Sequence, residues 1–109
     1  MIRVTILREN EGVYRGFECI GHAAYAEEGQ DIVCAGVSAL VINTINSVAY
    51  FTKERFSTDS DEETGMISFR LEQVENHDAQ LLMHSLVLGL QGIQNNYGNE
   101  YITLAFKEV

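Results

Sequence analysis

Residues 21–40 read GHAAYAEEGQDIVCAGVSAL, and their second half opens a long apolar helix. Asp31 suits an N-cap, Ile32 and Val33 take the first two helical positions, and Cys34 falls third, inside the first turn. Val37, Leu40, Val41, Ile45, Val48 and Phe51 then recur at helical spacing, interrupted only by Gly36, so a helix is expected from Asp31 to about Lys53. Ala39 and Ile42 make its first half apolar on more than one side. Such a helix should lie buried between a sheet and another layer.

Upstream, Ile2 to Leu7 alternates, with Ile2, Val4 and Ile6 on one face, and Val13 to Ile20 follows the turn-forming Glu9 to Gly12. The two should pair as an antiparallel hairpin that delivers His22 just past the end of its second strand. Downstream, Ser57 to Thr64 (STDSDEET) reads as a polar connection, closed by Gly65. Met66 to Leu71 reads as a third strand. Glu75, Asn76 and Asp78 compete to cap a second helix, running to about Asn96 on the stripe Ala79, Leu82, Leu86, Leu90, Ile93. Gly89 and Gly92 inside it each cost up to about 1 kcal/mol against alanine, a cost best offset by close approach of another backbone, either the first helix or a partner subunit. Tyr101 to Phe106 supplies a last strand, expected to be central. The expectation is one domain over residues 1–109. It is a two-layer α/β (α+β) fold, a four-stranded mixed sheet packed by two helices in the order strand, strand, helix, strand, helix, strand.

The chemistry gathers where that first helix begins. A helix N-terminus favours the anionic thiolate of a cysteine. It is worth about 0.3–1 kcal/mol, less than the ~1.4 kcal/mol of a single pKa unit, so a cationic neighbour must supply the rest. His22 is the candidate: a loop between Gly21 and Gly29 can fold back to set it beside the helix it enters. His22 and Cys34 would then form a catalytic dyad, with His22 as general base and later general acid. Asp31 has two readings, a helix cap or a group orienting His22, and the cap carries more weight. Ser38, four residues past Cys34, shares its face and could line a pocket or bond its own helix backbone. Tyr25 and Tyr50 could add an apolar groove.

The run GHAAYAEEGQDIVCAGVSAL is similar to the signature of the ribosomal-processing cysteine proteases (the Prp, or YsxB-like, family): GHA, a short loop, then G-x-D-I-V-C-A and V-S-A-L. The resemblance extends over essentially the whole chain, with one departure at Gly36, where alanine is expected. It implies a cysteine endopeptidase that removes the N-terminal extension of the twenty-seventh protein of the bacterial large ribosomal subunit. His22 and Cys34 would be its dyad and a homodimer its assembly, and the substrate segment would end in aromatic residues and a small residue before the cut.

Composition bounds the partners. The 109 residues carry seven Lys and Arg against sixteen Asp and Glu, a net charge of −9, which argues against a direct nucleic-acid partner and suits a basic substrate or simple solubility. No run is expected to reach membrane-spanning length and no leader pattern is evident, so no membrane partner and a cytoplasmic location are expected. No cofactor motif stands out. Asp59, Asp61, Glu62 and Glu63 match no calcium loop, and His77 and His84 lack the spacing and companions of a zinc site, so no metal is expected. Cys19 shares a strand face with Val13 and Phe17 and reads as a core residue, with no resolving cysteine expected near Cys34. The competing reading is a non-catalytic ribosome-associated binding module in which Cys34 is a small buried residue.

Overall fold

A computed structural model describes residues 1–21 and 30–109, with Gln30 and Asp31 described by their backbone alone. The elements are β1 (Ile2–Asn10), β2 (Val13–Ile20), α1 (Gln30–Phe51), β3 (Phe56–Asp61), β4 (Met66–Leu71), α2 (His77–Tyr97) and β5 (Ile102–Glu108). The strands form one mixed sheet in the order β3-β4-β2-β1-β5, with β1 and β5 parallel and every other neighbour antiparallel.

The sheet has five strands, not the expected four. Phe56–Asp61 pairs residue for residue with β4, from Phe56 opposite Leu71 to Asp61 opposite Met66. Its side chains after Phe56 are exposed, so it carries no apolar alternation. Hydrophobic periodicity reports burial, whereas a strand at the sheet's edge is held by its backbone ladder and by one anchor. That anchor is Phe56, whose ring lies 5.0 Å from that of Phe69, itself stacked at 5.4 Å on Phe17 of β2. The last strand is likewise an edge rather than central, parallel to β1 from Ile2–Ile102 to Arg8–Glu108.

Ile2, Val4, Ile6, Phe17, Phe69 and Leu71 of the sheet share one core with Val33, Val37, Val41 and Val48 of α1 and Ala79, Met83, Leu86 and Leu90 of α2. By length and composition, Ile32–Phe51 of α1 is apolar enough to cross a bilayer, against the expectation that no run reaches that length. Uncharged small and polar residues carry the run to that length. Its valine stripe is packed on the sheet, while Ile32, Ile42, Tyr50 and Phe51 are exposed. For α2, Asn76 is the cap: its side chain accepts from the N–H of Ala79 at 2.8 Å, and Gly98, at φ 86°, closes the other end. A Cβ on Gly89 would meet Cδ1 of Leu40 on α1 at 2.9 Å, so the first helix comes close there by a side chain and not, as expected, by its backbone, whereas a Cβ on Gly92 would meet nothing within 4 Å. Where β4 no longer runs beside β2, Gln80 takes its place, accepting from Tyr14 N (2.9 Å) and donating to Tyr14 O (2.7 Å).

Candidate active site

α1 begins at Gln30, two residues earlier than a cap at Asp31 would allow. Asp31 is thus a helical residue of the first turn rather than the N-cap, because Gln30 before it is already helical. Its side chain, and so its choice between capping and orienting His22, lies outside the described residues. Cys34 falls at the start of the second turn, where helix-terminus effects are fading.

The buried stripe Val33, Val37, Val41 points α1 at the sheet, which turns Cys34 and Ser38 to one side of it, toward the β3–β4 hairpin. There α1 does not cover the edge strand, and a cavity of about 280 Å³ opens between them. Cys34, Ser38 and Val41 form its helical wall, Cys19 and Gly21 the β2 wall, and Ser60, Asp61, Glu62, Gly65, Met66 and Ile67 the hairpin wall. Cys34 is half-buried, packed on the core yet open to this cavity. Its walls are mainly apolar, with carboxylates only on the hairpin side. Asp61 is partly engaged in shaping the turn, accepting from the N–H of Glu63 at 2.9 Å.

Gly21, the residue after β2, has φ 111°, a conformation that L side chains rarely adopt, and a Cβ there would stand 2.5 Å from the carbonyl oxygen of Met1. Glycine is therefore required at this position on the cavity's edge. Cys19, one residue inside the end of β2 and 6% exposed, has its thiol pushed up to about 11, chiefly by burial and secondarily by the nearby Cys34.

Of the residues singled out in the sequence, the structure brings Cys34, Ser38 and Gly21 to one cavity. His22 and Tyr25 lie outside the described residues. Tyr50 does not belong to the groove: it is 83% exposed and sixteen residues along the same helix from Cys34, roughly 24 Å at 1.5 Å per residue. The hairpin residues and Cys19 were missed as site residues. Cys19 and Ile67 are register partners across β2 and β4. Recognising that pairing would have put both beside Cys34, but no local pattern announces it. Among the described residues no group of three or more His, Cys, Asp or Glu could hold a metal ion.

A partly buried thiol open to an apolar cavity suits covalent chemistry on an extended, partly apolar substrate. The family model described as "Cysteine protease Prp" matches residues 1–103. The ribosomal processing cysteine protease Prp of Staphylococcus aureus (strain Mu50 / ATCC 700699) is 36% identical over 107 residues, covering 98% of this chain and 100% of that one. Two crystal structures of the S. aureus Prp, each 36% identical and matched over 98% of this chain and 100% of theirs, superpose closely. The complex with a substrate peptide has a TM-score of 0.90, and the complex with a covalently linked product peptide 0.87.

Proposed function

The chain belongs to the Prp family of cysteine proteases, and from that premise we propose that it is a ribosomal-processing endopeptidase in which Cys34 is the nucleophile and His22 its base. The observation that carries this reading is the setting of Cys34: half-buried at the side of α1, open to an apolar cavity whose edge includes Gly21, the residue covalently joined to His22. The covalently linked product peptide in the S. aureus relative supports a cysteine-bound intermediate.

In this mechanism His22 accepts the Cys34 proton as Sγ attacks the scissile carbonyl carbon. N–H groups at the start of α1 stabilise the oxyanion, and His22 returns the proton to the departing amine. The thioester left on Cys34 is attacked by water, with His22 again taking a proton, and a carboxylate leaves as the thiol is restored. Val41, Met66 and Ile67 give the cavity room for an apolar side chain next to the cut. Asp61 and Glu62, on a chain of net charge −9, favour a basic substrate and disfavour nucleic acid. The substrate we assign is the N-terminal extension of the twenty-seventh protein of the large ribosomal subunit, met in the cytoplasm. Exposed Ile32 and Ile42 on α1 and Leu81 and Leu88 on α2 support a homodimer that covers them.

The test is cleavage of the extended ribosomal protein by wild type, Cys34→Ala and His22→Ala. Loss of the nucleophile should cost at least about a thousandfold in rate. Undiminished cleavage by either variant rejects the dyad.

A further inference from the structure

The sequence suggested no thiol within reach of Cys34, yet the fold supplies one. Cys19 on β2 and Cys34 on α1, remote along the chain, line the same cavity, and Cys34 packs on the core cluster to which Cys19 belongs. The two differ in access: Cys34 is half-buried and faces the cavity, while Cys19 is 6% exposed at its inner wall. An oxidant entering the cavity meets Cys34 first. A second protein's thiol has poor access to Cys19, which leaves the sulfur of Cys34 as the electrophile Cys19 can reach.

We propose that Cys19 is a resolving thiol for Cys34, so that a peroxide converts the pair into an intramolecular Cys19–Cys34 disulfide, a reversible off state. In the first step Cys34 Sγ attacks the peroxide O–O bond. The sulfur is oxidised by two electrons to the sulfenic acid and the peroxide is reduced to an alcohol or water. In the second, Cys19 Sγ attacks that sulfur and expels hydroxide, which leaves as water with the proton that Cys19 gives up. The sum is two thiols and one peroxide going to one disulfide, one alcohol or water, and one further water. An external dithiol reverses it by exchange. Burial holds Cys19 as the neutral thiol at pH 7, and so reserves it from direct oxidation while making the second step the slow one. Formation of the bond needs the two thiols that line this cavity to close to disulfide geometry, and it does not depend on the proteolytic reading. Its effect on proteolysis rests on Cys34 as the nucleophile.

The experiment treats the reduced protein with a several-fold excess of hydrogen peroxide, enough for both oxidation steps at one sulfur, blocks free thiols with iodoacetamide in denaturant, and digests after glutamate. Glu27 and Glu28 lie between the two cysteines, so the bond appears as a linked peptide pair that dithiothreitol separates. Wild type should give this pair within one chain, and Cys34→Ala should give none. In Cys19→Ala, Cys34 should run on to the sulfinic acid, leaving a dithiothreitol-recoverable fraction of peptidase activity about tenfold smaller than in wild type, each measured against its own unoxidised rate. Equal sulfinic acid yields in wild type and Cys19→Ala, or links only between chains, would overturn the proposal. If the linked pair forms but the unoxidised protein cleaves nothing, the disulfide stands and the proteolytic reading falls.

Discussion

Replacing Gly21 by alanine tests whether the exit from β2 is as constrained as its geometry implies. Its φ of 111° places an L residue in a sparsely populated region, a cost of about 1–3 kcal/mol. The added Cβ would also stand 2.5 Å from Met1 O and 3.2 Å from the Cα of Ile2, both backbone atoms. Ile2 cannot retreat freely, being buried and donating its N–H to Tyr101 O at 2.9 Å. Clash and strain together should cost about 2–4 kcal/mol. At about 2.1 cal/mol/K per residue, a domain of 109 residues loses roughly 4 °C per kcal/mol, so Tm should fall by roughly 10–15 °C. Gly12→Ala is the control, since Gly12 has φ 85° but open space where a Cβ would go, and it should show the conformational cost alone. Calorimetry gives both Tm values, and peptide cleavage well below Tm shows whether the cavity's edge has moved. A Gly21→Ala protein within 2 °C of Gly12→Ala would refute the argument that β1 hems the turn in.

Gly36→Ala should stabilise by about 0.5–1 kcal/mol, because a Cβ there makes an ordinary 3.4 Å contact with Ile93 and removes a helix-interior glycine; a lowered denaturant midpoint would contradict it. Gly16→Ala should do the reverse and severely, since its Cβ would fall 1.9 Å from Phe69 O and force β2 and β4 apart, which amide exchange along both strands would report. The Cys19 thiol, held near 11 in the folded chain against an ordinary 9.0, keeps its proton where the unfolded chain has lost it. Its contribution is therefore intact below pH 9 and is lost between pH 9 and 11, up to about 2–3 kcal/mol in all. Denaturant midpoints of wild type and Cys19→Ala should converge or cross over that interval, and a constant gap would disprove the shift. Glu62→Lys should lower kcat/KM for a basic peptide by about threefold to tenfold, an effect that 0.5 M salt should largely abolish if it is electrostatic.

Both helices, both strands of the first hairpin and β4 were legible because each buries an apolar face, and burial writes a period of 3.6 or 2 into the residues. Asn76 was legible as a possible cap, although Glu75 and Asp78 offered the same chemistry and only the 2.8 Å bond to Ala79 N decides among them. β3 was illegible for the opposite reason: STDSD is solvated, and only pairing with β4 makes it a strand. Tyr50 was misplaced because an aromatic residue on the right helix says nothing about which end of that helix the site occupies.

The sequence alone determined the cysteine, its place near the head of an apolar helix, and the motif that joins it to a histidine, since these are local matters of residue type and spacing. Only the tertiary structure decided what surrounds that cysteine. The hairpin wall, the carboxylates on it and the second thiol come from strands paired across the sheet, and the register of such pairs is set by long-range packing that no single segment encodes.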